Sequence, residues 1–353
     1  MSKKINVGLI GYGVSGRVFH APIISSVPGL NLYKIYETNE KNIENIKKKY
    51  TNILVTSNID EVFQDENIDL VVIAVPNTAH YNLAKRAIEA GKNVVVEKPF
   101  TISTKEADEI IELSKSKNKL LTVHHNRRWD SDFKTVKKVI QSNLLGDIVE
   151  YEAHYDRFRN YIKENAWREK SLPGSGILYD LGSHLIDQAQ CIFGLPKEIF
   201  ADLRVQREDG ESIDNFEVIL SYDNLKVTLK AGMLVKEIGP HFTILGNKGS
   251  FIKYGMDVQE EDLKNDLIPK NIEEWGREPS SLWGNINTEI NGLQLIGKIE
   301  SELGDYREFY ENVYRSILGE TKLEVSPVQA RNTIRIIELA EKSSLEKAWI
   351  KFE

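Results

Sequence analysis

The chain has 353 residues, of which 41% are hydrophobic and 28% charged, with a formal net charge of −7. Single cores stop growing near ~250–300 residues, so this length predicts one internal domain boundary. The composition is that of an ordinary globular chain, the negative balance excludes nucleic acid as the main partner, and no run of ~18 apolar residues offers a membrane span.

The opening Met1-Ser2-Lys3-Lys4 leads into an apolar run, Ile5 to Ile10, that ends at Gly11. A helical stretch from Ser15 to Ser26 and a second apolar run, Leu30 to Tyr36, follow. The pattern continues with a helix at Asn42 to Tyr50, whose Lys47, Lys48 and Lys49 read as a solvated face. β-rich runs at Ile53 to Val55, Ile68 to Val75, Asn93 to Val96 and Leu120 to Val123 are interleaved with helices at His80 to Ala90 and Ser103 to Ser116. Strands alternating with helices imply βαβ units and a parallel sheet. Residues 1–125 are therefore expected to form an α/β Rossmann domain with a doubly wound parallel sheet.

After His124 the rhythm changes. A helix at Asp132 to Gln141 precedes period-two runs at Ile148 to Tyr155, Glu198 to Arg207, Asn215 to Tyr222, Lys226 to Met233 and His241 to Leu245. That alternation predicts an α+β second domain, 126–353, with a large open, mostly antiparallel sheet. Few helices are available to cover the sheet, so its other face is expected to join a homodimer or homotetramer. Residues 255–300, with Trp275 and Trp283, show too little periodicity for assignment. The chain ends in a helix, Pro327 to Lys347. The single cysteine, Cys191, sits at the apolar end of a helical segment and is expected to be a buried thiol; with no secretory core at the start, the expected setting is cytoplasmic.

Gly11-Tyr12-Gly13-Val14-Ser15-Gly16 fits G-x-G-x-x-G directly after a strand and at the opening of a helix. Gly11 allows the tight turn, Gly13 lets backbone approach a pyrophosphate, and Gly16 lets helix and strand pack closely. Helix N–H groups would then hold the phosphates. Glu37 closes the next strand at the spacing of a ribose 2′-hydroxyl acceptor, which favours NAD over NADP because a 2′-phosphate would meet like charge. Pro76, Asn77 and His80 follow the strand that ends at Val75, and so belong at the carboxyl edge where ligands bind. Asn77 is a cofactor contact candidate; His80 is either another or a residue that caps its own helix.

Glu97-Lys98-Pro99 follows Asn93 to Val96 at that same edge, and Gly176-Ile177-Leu178-Tyr179-Asp180-Leu181-Gly182-Ser183-His184-Leu185-Ile186-Asp187 lies further on. With the glycine loop, these ordered motifs resemble the Gfo/Idh/MocA family of oxidoreductases over essentially the whole chain. The segment Arg17-Val18-Phe19-His20-Ala21-Pro22 resembles the scyllo-inositol dehydrogenase-like branch, some members of which prefer NADP.

The resemblance implies that Lys98, Asp180 and His184 are catalytic, with Glu97 and Pro99 bracing the turn and Pro99 a candidate for a cis bond. Asp180 and His184, four residues apart, would share one helix face. A histidine with an ordinary pKa near ~6.5 suits removal of a hydroxyl proton, and a lysine cation suits stabilisation of the developing alkoxide. Asn126, Arg127, Trp167 and Arg168 are cofactor or substrate contact candidates, with domain packing as their other reading. No Cys/His cluster or carboxylate pair has metal-site spacing, so no metal is expected. The resemblance thus implies an NAD(P)-dependent dehydrogenase acting on a secondary hydroxyl of a sugar or cyclic polyol. A glycosidase using NAD transiently and a non-catalytic dinucleotide sensor are the other readings on this fold.

Overall fold

The computed structural model describes residues 3–164, 166–269 and 274–353. Met1 and Ser2, and 270–273 of the unassigned stretch, lie outside the described residues. The chain divides into two compact units. The first comprises Met1–Asn126, Gln259–Trp275 and Asp305–Arg331, and the second Arg127–Val258, Gly276–Gly304 and Asn332–Glu353.

The first unit begins with β1 (Ile5–Ile10), α1 (Ala21–Ile24), β2 (Leu30–Tyr36), α2 (Glu40–Lys49), β3 (Leu54–Thr56), α3 (Asp60–Phe63) and β4 (Leu70–Ile73). It continues with α4 (His80–Glu89), β5 (Asn93–Glu97), α5 (Thr104–Ser116) and β6 (Leu121–His124). Its six strands pair in parallel in the order β3-β2-β1-β4-β5-β6, the doubly wound arrangement the alternation predicted. Every residue of β4 is buried, as a strand with helices on both faces requires. The order reverses between β1 and β4, so the glycine loop after β1 and Pro76-Asn77 after β4 flank the crevice at the switch point.

The expected helix from Ser15 to Ser26 is divided. An α-helical start at Val14 and Ser15 widens at Gly16–His20 into a π-type turn, in which the Ala21 N–H reaches back to the Gly16 carbonyl, and α-helix resumes at Ala21–Ile24. Pro22, which has no N–H to give to the preceding turn, accounts for the break. The widened turn ends on His20, which is fully buried. On α2, Lys47 and Lys48 are exposed and Lys49 pairs with Asp266 at 2.6 Å, as a solvated face should.

The second unit contains α6 (Ser131–Gln141), β7 (Ile148–His154), α7 (Ser183–Phe193), β8 (Glu198–Arg204), β9 (Asn215–Ser221), β10 (Lys226–Gly232), β11 (Phe242–Gly246) and β12 (Gly249–Lys253). Further along the chain, α8 (Gln259–Lys264) belongs to the first unit, β13 (Gly284–Ile290) and β14 (Leu293–Ile299) to the second, and α9 (Arg307–Ile317) to the first. Helix α10 (Pro327–Glu346) and β15 (Ile350–Lys351) complete the chain. Nine strands form one sheet in the order β14-β13-β12-β11-β7-β10-β9-β8-β15, and β7 with β10 is its parallel pair. Alternation is visible in β9, where Phe216, Val218 and Leu220 are buried.

The stretch 255–300 contains real structure that periodicity could not reveal. Asn291 and Gly292 have φ of 52° and 79° and turn a two-residue hairpin from β13 into β14, the conformation Asn-Gly favours. Strand β14 is exposed at nearly every position, so neither face carries a buried row to set a period of two. Trp275 is buried and donates Nε1–H to Gln259 at 2.9 Å, while Trp283 is half-buried. Cys191, expected to be buried, is half-buried near the end of α7 with Lys137 Nζ 3.9 Å from its sulfur. The last turns of this helix face outward enough to expose it. Among the described residues no helix is long and apolar enough to cross a membrane.

Candidate active site

The glycine loop has the shape that a pyrophosphate cradle needs. Gly11 has φ of 96°, and a Cβ there would run into the Ala74 carbonyl oxygen; a Cβ on Gly16 would run into the Gly11 carbonyl. A Cβ on Gly13 would meet nothing within 4 Å, so the loop is crowded behind and open in front. Gly13 and Val14 are exposed, whereas the Tyr12 ring is buried with its hydroxyl 3.3 Å from Asn45. Ser15 turns its hydroxyl onto Glu97 at 2.7 Å. The residues present thus fit a dinucleotide, with backbone rather than side chains facing the phosphates.

Glu37 is tied into this loop. Its carboxylate accepts from the backbone N–H groups of Tyr12 (3.1 Å), Thr38 (2.8 Å) and Asn39 (2.9 Å) and from the Asn42 amide (2.9 Å). Burial alone would raise its pKa, but the bonds from Asn39, Asn42, Thr38 and Tyr12 outweigh that and hold it below the ordinary carboxyl range. An ionised carboxylate stands at the end of β2, with its acceptor sites largely taken by the protein.

Glu97 is the junction of the first unit. One oxygen accepts from Ser15 Oγ, from His20 Nε2 (2.9 Å) and from His124 Nδ1 (3.0 Å), and the other from the Lys98 N–H (2.8 Å). Behind it, His20 Nδ1 is 2.5 Å from the Tyr310 hydroxyl. Burial favours a raised Glu97 pKa, yet the hydrogen bonds and charge of His124 and His20 hold it well below the ordinary value. Burial, then the His20 charge, lowers His124 to about 4. Glu97 is therefore ionised and accepts N–H from a neutral His124 and from His20 Nε2.

These three side chains are also the kind of group that could hold a metal ion, with ligand atoms within 4.8 Å of one another. No spacing argument could have found them, because they come from the widened turn, β5 and β6. Their facing atoms are already satisfied by hydrogen bonds, as a structural brace requires.

The brace fixes the backbone of Lys98, whose side chain is half-buried and whose bond to Pro99 is cis. His80 supports the same turn: Nδ1 is 2.8 Å from the Pro99 carbonyl and Nε2 3.0 Å from the Val75 carbonyl. Burial lowers the His80 pKa and favours the neutral ring, which can donate its one N–H to only one of these two carbonyls. Asn77 is buried in the short turn Asn77–Ala79, with Pro76 exposed before it, and Asn126 is buried after β6.

In the second unit, Asp180 lies in a π-type turn, Leu178–Gly182, that runs into α7, and His184 occupies the first turn of α7. The expected regular helix face is thus widened at its start. His184 is 5% exposed, while the Asp180 side chain is 30% exposed and pairs with Arg168 at 3.3 Å. Arg128 holds α7 through a buried two-pronged pair to Asp187, 2.7 Å on each prong. Arg127 donates to Asp130 at 3.1 Å and lies 5.4 Å over the Tyr155 ring. Tyr155 in turn presents its ring edgewise to His184, with centroids 6.3 Å apart, a neighbour the sequence did not mark. Arg168 stacks 4.8 Å over Trp167, and both line a cavity of about 340 Å³ together with Asp180, Arg157, Arg159 and Lys163.

A six-strand parallel sheet with this loop at its switch point defines a Rossmann-type, dinucleotide-binding oxidoreductase. More narrowly, the chain belongs to the Gfo/Idh/MocA family. Residues 5–125 match its NAD-binding Rossmann fold and residues 137–352 its C-terminal alpha/beta domain. It is 40% identical to the oxidoreductase YdgJ of Escherichia coli (strain K12), covering 99% of both chains. It is 38% identical to the scyllo-inositol 2-dehydrogenase (NADP(+)) IolW of Bacillus subtilis (strain 168), covering 99% of this chain and 96% of that one. Among solved structures, the Bacillus subtilis oxidoreductase YvaA superposes with a TM-score of 0.96 at 37% identity, covering 100% of this chain and 99% of that one. An oxidoreductase from Bacteroides fragilis gives 0.91 at 42% identity, covering 99% of this chain and 100% of that one. The chain is a dehydrogenase of this family.

Proposed function

We propose that the protein oxidises, or in reverse forms, a secondary hydroxyl of a cyclic polyol or sugar. The single observation that carries this reading is the pre-ordered Lys98 turn beside the glycine loop, because Glu97 joins the two through Ser15 and the Lys98 N–H. The kinship with IolW supports an inositol-like substrate.

A bound nicotinamide dinucleotide supplies the hydride acceptor. His184 takes the hydroxyl proton. Lys98, as a cation, stabilises the alkoxide that develops and orients the hydroxyl, and Asp180 holds a neighbouring hydroxyl or tunes His184. The exposed backbone at Gly13 and Val14 receives the pyrophosphate, with Pro76, Asn77 and Glu97 along the same edge; Asn126, Arg127, Trp167 and Arg168 contact cofactor or substrate. No metal enters this scheme.

NAD is the preferred cofactor on account of the ionised Glu37. Its repulsion of a 2′-phosphate amounts to roughly 3 kcal/mol at ~5 Å and an effective dielectric of ~20, before solvent screening. NADP, printed in the name of IolW, is the competitor. Residues 1–125 serve as the cofactor domain and 126–353 as the substrate and oligomerisation domain, in a cytoplasmic homodimer or homotetramer. Exposed Leu293, Leu295 and Ile296 on β14, the edge strand of the large sheet, support assembly through that sheet.

The test is absorbance at the reduced-nicotinamide band with NAD or NADP and a panel of inositols, aldoses and glycosides. Sustained growth with a polyol or aldose is expected. Release of free sugar from a glycoside without net reduced cofactor would move the assignment to a glycosidase, and tight cofactor binding with silence across the panel would move it to a sensor.

A further inference from the structure

We propose that the cavity beside Asp180 is an anion subsite, and that the polyol or sugar carries a carboxylate or phosphate group that seats there. This deepens the polyol or sugar reading and rests on it for the rest of the substrate. The cavity, about 340 Å³, lies within the second unit and falls in the ~300–1,000 Å³ range of small-molecule sites.

Its cationic wall is built by the backbone. After β7 the chain stays extended: Arg157 N–H donates to the Gly232 carbonyl (3.0 Å), Arg159 N–H to the Met233 carbonyl (2.7 Å), and Phe158 bridges to Leu234. In an extended segment, residues two apart point to one side. Arg157 and Arg159 accordingly both line the cavity, while Phe158 between them does not and is 47% exposed. Lys163 and Arg168 add two further cations.

The carboxylates nearby do not cancel this charge. Glu169 is held by the buried Arg207, 2.6 Å away, which also pairs with Asp214 at 2.9 Å, so that one cation is shared by two carboxylates. The lining therefore carries four cations, Arg157, Arg159, Lys163 and Arg168, against three carboxylates, Asp180, Glu169 and the exposed Glu164, an excess of one positive charge. Asp180 is engaged by Arg168, and among the described residues neither Arg159 nor Lys163 has a carboxylate within ion-pair distance. A chain with a net charge of −7 thus gathers an excess of cations around one concavity whose wall includes a proposed catalytic carboxylate. Guanidinium forks and an ammonium are the donors that carboxylate and phosphate oxygens fit. Asp180 would repel an anion from its own position, which directs the anionic group toward Arg159 and Lys163 and leaves the hydroxyls for Asp180.

The experiment uses the full chain in matched sets: glucose, D-glucuronate and glucose 6-phosphate, with myo-inositol and an inositol monophosphate. Binding is followed by calorimetry and turnover by reduced-nicotinamide absorbance, with inorganic phosphate as a competitor. The anionic member of a set is expected to exceed its neutral counterpart by about tenfold or more in affinity and in kcat/KM, the scale of one charged hydrogen bond. The Arg159→Ala/Lys163→Ala variant should lose that advantage and treat the neutral compounds as before; Arg159→Gln should lose part of it. Preference for D-glucuronate assigns an acid sugar, and preference for the phosphorylated members a phosphate ester. Equal or better binding of every neutral compound, or a variant that weakens neutral and anionic compounds alike, overturns the proposal. Absence of cofactor reduction with every compound would instead count against the dehydrogenase substrate reading, and the calorimetry would still decide the subsite.

Discussion

Glu97 and Asp180 are both carboxylates in motifs that the sequence singles out, and their surroundings differ in kind. Glu97 is buried and receives donors from Ser15, His20, His124 and the Lys98 N–H, so every element of its turn is fixed before any ligand arrives. Asp180 is partly exposed, within a widened turn, and pairs with the solvent-facing Arg168 at an open cavity. The first arrangement resists change because each donor would be left unsatisfied. The second can exchange protein partners for substrate at little cost, since exposed ion pairs are worth only ~0–1 kcal/mol. In the proposed scheme, chemistry shared across substrates is served by the rigid site, and selection among substrates by the adaptable one.

Breaking the rigid side should have the largest effect. Glu97→Ala leaves the two imidazoles, the Ser15 hydroxyl and the Lys98 N–H without their acceptor, and stability should fall by about 3–5 kcal/mol in chemical denaturation. A loss below about 1 kcal/mol would mean that the brace is redundant.

A smaller effect follows from pH. The folded His124 titrates at about 4 against an ordinary 6.5, so between those values the unfolded chain binds a proton that the folded chain does not. Stability should therefore decline as pH falls from 6.5 toward 4, and the depressed Glu97, ordinary value 4.5, adds a loss of the same sign below that value. His124→Asn should flatten the upper part of that slope in denaturation curves taken at successive pH values, whereas an unchanged slope would place the proton uptake elsewhere.

Smallest is the cofactor choice. Glu37→Ala should shift the ratio of kcat/KM for NAD over NADP by about tenfold toward NADP, because screening trims the full Coulomb penalty. An unmoved ratio would mean that the carboxylate serves only the loop.

The same contrast explains what the sequence could reveal. The parallel sheet and its glycine loop were legible because buried strands read as Val/Ile runs and the loop needs glycine at fixed offsets. Lys98, Asp180 and His184 were marked by motif resemblance and not by local physics. Tyr310 lies 290 residues from His20, and no period or spacing links them. The split of the helix after Gly16 was written in Pro22, a signal that competing helical residues concealed. Arg157 and Arg159 are two surface-type residues whose shared direction depends on the extended backbone beyond β7. β14 was illegible because it buries almost nothing, although Asn291-Gly292 carried the turn signal.

The central claim is that Lys98 acts in the chemical step and not in holding the cofactor. The direct measurement compares wild type with Lys98→Ala for two quantities together: cofactor affinity by fluorescence titration, and the rate of cofactor reduction with the most active polyol or sugar. Loss of one pre-ordered electrostatic donor predicts a fall in kcat of about 10²–10³ with the cofactor Kd nearly unchanged. Parallel loss of both, or full turnover in the variant, would contradict the account.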